Sequence, residues 1–358
     1  MAVLLDHVKT SPMKVIELIK ELGSVTFTIL TLFDENQRLS FGEPTPITVK
    51  INENRPGSAV LVYGDNLDDL YSICANLQGK STIYTSGDLL KAHAFPEFQK
   101  FDNLVGHYSD IWQDQRVDFD NFPGLIILLN GPTLPTHLTE TNYSDRLITA
   151  KSCGIPKITH LLDDNGILDF SFFNQVVIPG FDPLAHASYN PYLLHTGFNW
   201  HGRLREYMPE FAECFVQKQF ENILIIGGSE GNNARDESLF MKFFKNLPET
   251  TLVFTFGSAK FRILSALPHL TTDFSISRLF PRLMDFGSTE DVFSILKALE
   301  TFSSTLRIPM ELLPVTFVIS WYDSMMVVPL LSKFDIKRVY IEPCLPVFFS
   351  QNTSDLLS

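Results

Sequence analysis

Between Phe220 and Ile263 the chain carries an apolar run at Ile223 to Ile226, a Gly-rich turn at Gly227 to Gly231, and a helix-length segment. A second apolar run at Thr251 to Phe256 follows and stops at Gly257-Ser258. Apolar runs without polar alternation are expected of parallel strands that helices bury on both faces. In such a sheet the loops leaving the strand C-termini line the cleft where ligands sit. Ser229 and Ser258 stand on those two loops. The same order occurs upstream: Ala59 to Val62 reads as a strand, Tyr63-Gly64-Asp65-Asn66 as a turn, Leu67 to Leu77 as a helix, and Thr82 to Thr85 as a strand leaving through Ser86-Gly87-Asp88. An α/β protein that uses one βαβ plan twice is predicted.

With 358 residues, 45% of them hydrophobic, two domains are expected rather than one. The formal charge of −13 argues against nucleic acid as a partner, because phosphate-tracking surfaces need clustered Lys and Arg. No membrane span is expected either: apolar stretches such as Leu125 to Leu129 fall far short of the ~20 residues required. The opening MAVLLDHVKTSPMKVIELIKELG has acids and lysines where a secretory signal needs an apolar region, and it lacks the composition of a transit peptide. A soluble, cytoplasmic protein is the resulting expectation. The four cysteines, Cys74, Cys153, Cys214 and Cys344, lie far apart, so spacing signals no metal site and each reads as a small buried hydrophobe.

The rest of the chain fills in the plan. Pro12 to Gly23 carries a helical apolar stripe with Gly23 as its stop, and Val25 to Phe33 fits strand or helix equally. Phe41 to Ser58 reads as an extended connection. Leu125 to Leu129 is a strand closing on Asn130-Gly131-Pro132, and the aromatic segment 94–119 is expected to wrap the sheet edge. Gln175 to Ile178 reads as a short strand, and the Pro- and Gly-rich segment 179–203 as the passage between domains. Asp291 to Thr301 and Met325 to Lys333 read as helices, Val315 to Ser320 and Arg338 to Ile341 as strands. The expected division is an N-terminal helical and extended segment 1–56, a Rossmann-like domain 57–190 and a second one 191–358.

GGSEG at Gly227 to Gly231 suits an anion nest, yet it matches neither GxGxxG nor a P-loop, and a plain tight turn explains it. Asp65, Asp88, Asp323, Ser229 and Ser258 each follow a strand. Singly they read as helix caps; converging, Asp65, Asp88 and Asp323 would suit a hard cation. The nine histidines include no HExxH, and no Gly-x-Ser-x-Gly elbow occurs. His93 and His107, set among aromatics, read as satisfied core or edge residues.

Several long blocks resemble the hybrid-cluster (prismane) family, also called hydroxylamine reductases, which share a fold with carbon monoxide dehydrogenases. They are FGEPTPITVKINENRPG leading into LVYGDNLDDLY, IYTSGDLLKAHAFPEFQKFDNLVGHYSDIWQDQ, FPGLIILLNG, LIIGGSEG, LVFTFGSAKFR, FPRLMDFGSTEDVFSI and VISWYD. The resemblance runs from about Leu30 to Phe349; the family's upstream helical domain with its four-cysteine cluster has no counterpart. It implies an iron-sulfur-oxygen cluster held between two Rossmann-like domains by a His, two Glu and four Cys. In this sequence Asp65 stands at the His position and Asp88 and Asp323 at the Glu positions. Gly131 or Pro132, Ser229 and Ser258 stand at Cys positions, and Met325 replaces a nearby Lys. No cysteine lies between Cys153 and Cys214, where the persulfide is expected. A serine hydroxyl does not ionise near neutral pH to replace a thiolate. Trp321, Pro281-Arg282-Leu283 and His93-Ala94-Phe95-Pro96 still match the framework. The resemblance therefore implies a degenerate homologue without the cluster, catalytically inactive and acting as a binding or structural subunit with a protein partner. The alternative is an oxidoreductase of hydroxylamine reductase or nitric oxide reductase type with an atypical metal site.

Overall fold

The computed structural model describes residues 12–108, 115–129, 141–151, 153–162, 166–182, 192–228, 246–267, 270, 273–275 and 279–341. It opens on a helix, α1 (Pro12–Phe41), which passes through the expected stop at Gly23. A Cβ on Gly23 would lie 2.0 Å from the carbonyl oxygen of Pro329, so this glycine lets another backbone approach. Glycine in a helix interior costs only about 1 kcal/mol, which the contact offsets. Val25 to Phe33 resolves as helix because Val15, Phe27, Leu30 and Phe41 continue one buried face. Gly42, at φ 87°, caps the end by donating its N–H to Arg38 O at 2.9 Å.

The chain divides into two compact units, residues 45–197 and residues 1–44 together with 198–358. The breaks fall at 44/45 and 197/198 beside the expected 56/57 and 190/191. Residues 12–44 join the later unit because α1 is built into its core.

The 45–197 unit is a mixed sheet. Its strands are β1 (Ile47–Ile51), β2 (Gly57–Tyr63), β3 (Thr82–Ser86), β4 (Leu104–His107), β5 (Leu125–Leu128), β6 (Leu147–Thr149), β7 (Thr159–His160), β8 (Gly180–Phe181) and β9 (Tyr192–Thr196). The order is β9-β1-β4-β3-β2-β5-β6-β7. All neighbours are parallel except β9 on β1, and β8 adds antiparallel to β2. Helix α2 (Leu67–Asn76) connects β2 to β3, with Asn66 accepting the N–H of Asp69 at 3.0 Å as its cap.

Three expectations are corrected here. Segment 94–119 contributes an inner strand, β4, because Gly106 admits the Lys50 carbonyl where a Cβ would lie only 2.6 Å away. Phe41 to Ser58 contains β1. Gln175 to Ile178 is no strand: the chain makes a single 3₁₀ turn at Ser171–Asn174 and pairs only at β8. These short runs depend on partners distant in sequence, which local pattern does not reveal.

The other unit holds a fully parallel sheet ordered β14-β13-β10-β11-β12, with β10 (Asn222–Gly227), β11 (Thr251–Phe256), β12 (Leu283–Asp285), β13 (Val315–Ile319) and β14 (Val339–Ile341). Helices α3 (Met208–Val216), α4 (Ala259–Ala266), α5 (Val292–Leu306) and α6 (Trp321–Lys333) surround it. Every residue of β11 is buried, as predicted for a strand covered on both faces. Ile223, Ile225, Phe254 and Phe256 share one apolar cluster with Phe211 of α3 and Phe302 of α5. Phe27 of α1 enters the same cluster and meets Phe293 and Phe334 at ring-centroid distances of 5.1 and 5.2 Å. The helix-length segment expected after Gly228 falls on 229–245, outside the described residues. Among the described residues no helix is long and apolar enough to cross a membrane.

Gly23→Ala is expected to lower stability by about 1–3 kcal/mol, because the added methyl meets backbone that has to move. The neighbouring exposed Ser24→Ala is expected to stay within about 0.5 kcal/mol. Urea midpoints of the two variants against the unaltered protein check this.

Candidate functional site

In a parallel sheet the strand C-termini end on one edge, and the polar residues absent from the strands gather there. In the 45–197 unit β2 exits through Gly64-Asp65 and β3 through Gly87-Asp88. The two exits touch: Gly64 donates its N–H to Ser86 O at 3.4 Å, and a Cβ on Gly87 would lie 3.3 Å from Gly64 O. Asp65 and Asp88 are thus carried on adjoining loops, Asp65 exposed and Asp88 half-buried. Helix α2 is capped by Asn66 and not by Asp65. Leu129 donates its N–H to Tyr63 O at 3.0 Å, which sets the exit of β5 beside that of β2. Gly131 and Pro132, expected on that exit, lie outside the described residues.

Below these loops Thr85 Oγ1 lies 3.0 Å from His93 Nε2 and 2.9 Å from His107 Nδ1, with both rings buried. Both histidines are interior, as expected, and in each the ring nitrogen facing Thr85 lies at hydrogen-bond distance. Burial pushes the His93 imidazole down to about 4, because the charged form loses its hydration. His93 is therefore neutral near neutral pH. The hydroxyl of Thr85 bridges the two rings and also lies 3.4 Å from Gly106 O, so the tautomers of the two rings set which nitrogen donates to it. Sequence reading missed this link, since three residues of ordinary type spread over 22 positions form no motif.

In the other unit the exits of β10, β11 and β13 converge on Gly228, which sits at φ 110°. Ser258 is half-buried and donates its hydroxyl to Gly228 O at 3.3 Å. Ser320 donates its hydroxyl to Asp323 Oδ2 at 2.8 Å, and Asp323 is buried in the first turn of α6. A Cβ on Gly228 would lie 2.1 Å from Ser320 Oγ and 2.7 Å from Asp323 Oδ2, so only glycine admits this pair. Ser258 and Asp323 are brought together around one glycine, as their strand-end placement implies. Ser229 lies outside the described residues, and Met325 is 44% exposed on α6.

A buried ion pair, unforeseen in the sequence, stands beneath the exit of β12. Lys260 Nζ lies 3.0 and 3.2 Å from the two carboxylate oxygens of Asp285 and donates to Gly287 O at 2.8 Å. Gly287 donates its N–H back to Asp285 Oδ1 at 3.2 Å. The side chains are 4% and 0% exposed. A lysine inside the apolar run FGSAKF and an aspartate closing LMD were the visible signals; an unpaired charge at either place would be too costly to bury.

A model of the Prismane/CO dehydrogenase family matches residues 1–358. The chain belongs to that family. It is 30% identical over 353 residues to the hydroxylamine reductase of Salmonella schwarzengrund (strain CVM19633), and 29% identical to that of Salmonella typhi. Each alignment covers 96% of this chain and 59% of the relative, so the chain spans about three fifths of those proteins. Its fold is similar to carbon monoxide dehydrogenase IV from Carboxydothermus hydrogenoformans, with a TM-score of 0.67, 12% identity and coverage of 92% and 60%. It is also similar to the Ni-free carbon monoxide dehydrogenase from Thermococcus sp. AM4, with a TM-score of 0.65, 14% identity and coverage of 89% and 56%.

An iron-sulfur cluster needs thiolates, and the donors on the described strand exits of this Prismane-family chain do not fit one. Ser258 and Asp323 are hydroxyl and carboxylate, each already hydrogen-bonded within the protein. Cys74 lies inside α2, where burial pushes its thiol up to about 12. Cys153 follows β6 but belongs to an apolar cluster with Phe119 and Tyr143, and Cys214 lies on α3. Cys344 falls outside the described residues. Among the described residues no three His, Cys, Asp or Glu side chains are grouped to hold a metal ion.

Two outcomes follow from the geometry. Lys260→Met or Asp285→Asn alone is expected to cost about 3–5 kcal/mol, each leaving its partner buried and unpaired, while the double variant recovers part of the loss. Denaturant titrations of the two singles and the double form the cycle that checks it. The pH dependence carries the opposite sign from a salt-bridged histidine. With the folded His93 value near 4, below the ordinary value of 6.5, its contribution is fully present above that ordinary value. It is lost as pH falls toward the folded one, because the unfolded chain takes up the proton first. His93→Gln is expected to flatten this part of the stability–pH curve, measured by urea midpoints at neutral and mildly acidic pH.

Proposed function

We propose that this chain is a cluster-free member of the Prismane family, without the redox activity of its relatives, that works as a binding or structural subunit. The observation that carries the reading is the state of the polar groups around Gly228. Ser258 gives its hydroxyl proton to a backbone carbonyl, and Asp323 accepts from Ser320, so both are used by the fold itself. A soft metal cluster asks for the reverse, with several thiolates turned toward one centre. Asp65 and Asp88, on their own adjoining exits, add hard oxygen donors and no sulfur.

Retention of the scaffold supports a role for the surface it presents. The strand exits keep the glycines at Gly64, Gly87, Gly228 and Gly257 in positive φ, and the parallel ladders on either side of β10 run without a break in register. A net charge of −13 suits partners that carry basic surfaces.

Protein purified without oxygen is expected to contain no stoichiometric iron or acid-labile sulfide, and to leave hydroxylamine unreduced with a reduced viologen dye. A full complement of iron by elemental analysis, or turnover of hydroxylamine, would overturn the reading.

A further inference from the structure

We draw no further inference here: the strongest candidate, the side-chain cluster in which the buried Asp34 carboxylate of α1 meets Arg38, Asn199 and His201 at 2.8, 3.3 and 3.3 Å, carries nothing beyond the fold, because those partners already engage the carboxylate and an acid-sensitive role for His201 would rest on the direction of its pKa alone.

Discussion

Parallel pairing of β10 between β11 and β13 is the constraint on which this structure turns. A strand paired on both sides and covered on both faces favours apolar side chains, so Leu224, Ile225, Ile226, Val253 and Phe254 are apolar and buried, and the polar residues β11 admits, Thr251 and Thr255, are small. The polar groups of the segment are displaced to where the strand stops. Each exit therefore combines a glycine that turns the chain with a residue bearing oxygen: Gly228 backed by Asp323, Gly257 by Ser258, Gly64 by Asp65 and Gly87 by Asp88. The place where chemistry is available is a consequence of the sheet, whatever chemistry the side chains then supply.

What they supply here is mostly self-satisfaction. A hydroxyl one bond from the chain reaches its own backbone more readily than a ligand, which is why serine and aspartate favour turns and caps. Ser320 and Asp323 close such a short-range bond within the first turn of α6. Lys260 and Asp285 do the same at longer range and greater burial, binding α4 to the end of β12 and to the Gly287 turn. The oxygen-bearing side chains at these exits thus hold the loops to one another.

Legibility in the sequence followed the range of the interactions. β2, β10, β11 and β13 were readable because each is a largely apolar run with a glycine or proline at one end, and β3 because a β-branched and aromatic stretch stops at Ser86-Gly87. The meeting of the Asp65 and Asp88 loops, and of Ser258 with Asp323, was readable from the strand-end rule applied to those runs. The full length of α1 from Pro12 to Phe41 was not, because Gly23 signals a stop unless the carbonyl of Pro329, far later in the chain, is known to press against it. β4 was hidden for a like reason: Leu104 to His107 becomes an inner strand only through β1 and β3 on either side. The Lys260–Asp285 pair and the Thr85 link between His93 and His107 each join residues that are distant in sequence or of ordinary type, and no local pattern encodes them.

The composition of α1 runs against its use as a simple covering helix. A helix that only packs on a core needs one apolar stripe and places polar residues opposite. In α1 the inward stripe contains Gly23, Asp34 and Gln37, and part of its attachment is polar: Asp34 engages Arg38, Asn199 and His201 at 2.8, 3.3 and 3.3 Å. The opposite, exposed stripe of Leu22, Val25, Ile29, Leu32, Asn36 and Leu39 is the more aliphatic of the two. The attachment of α1 thus rests on close approach and polar bonds as much as on apolar area: Gly23 admits the Pro329 backbone, and the buried Asp34 carboxylate holds three partners.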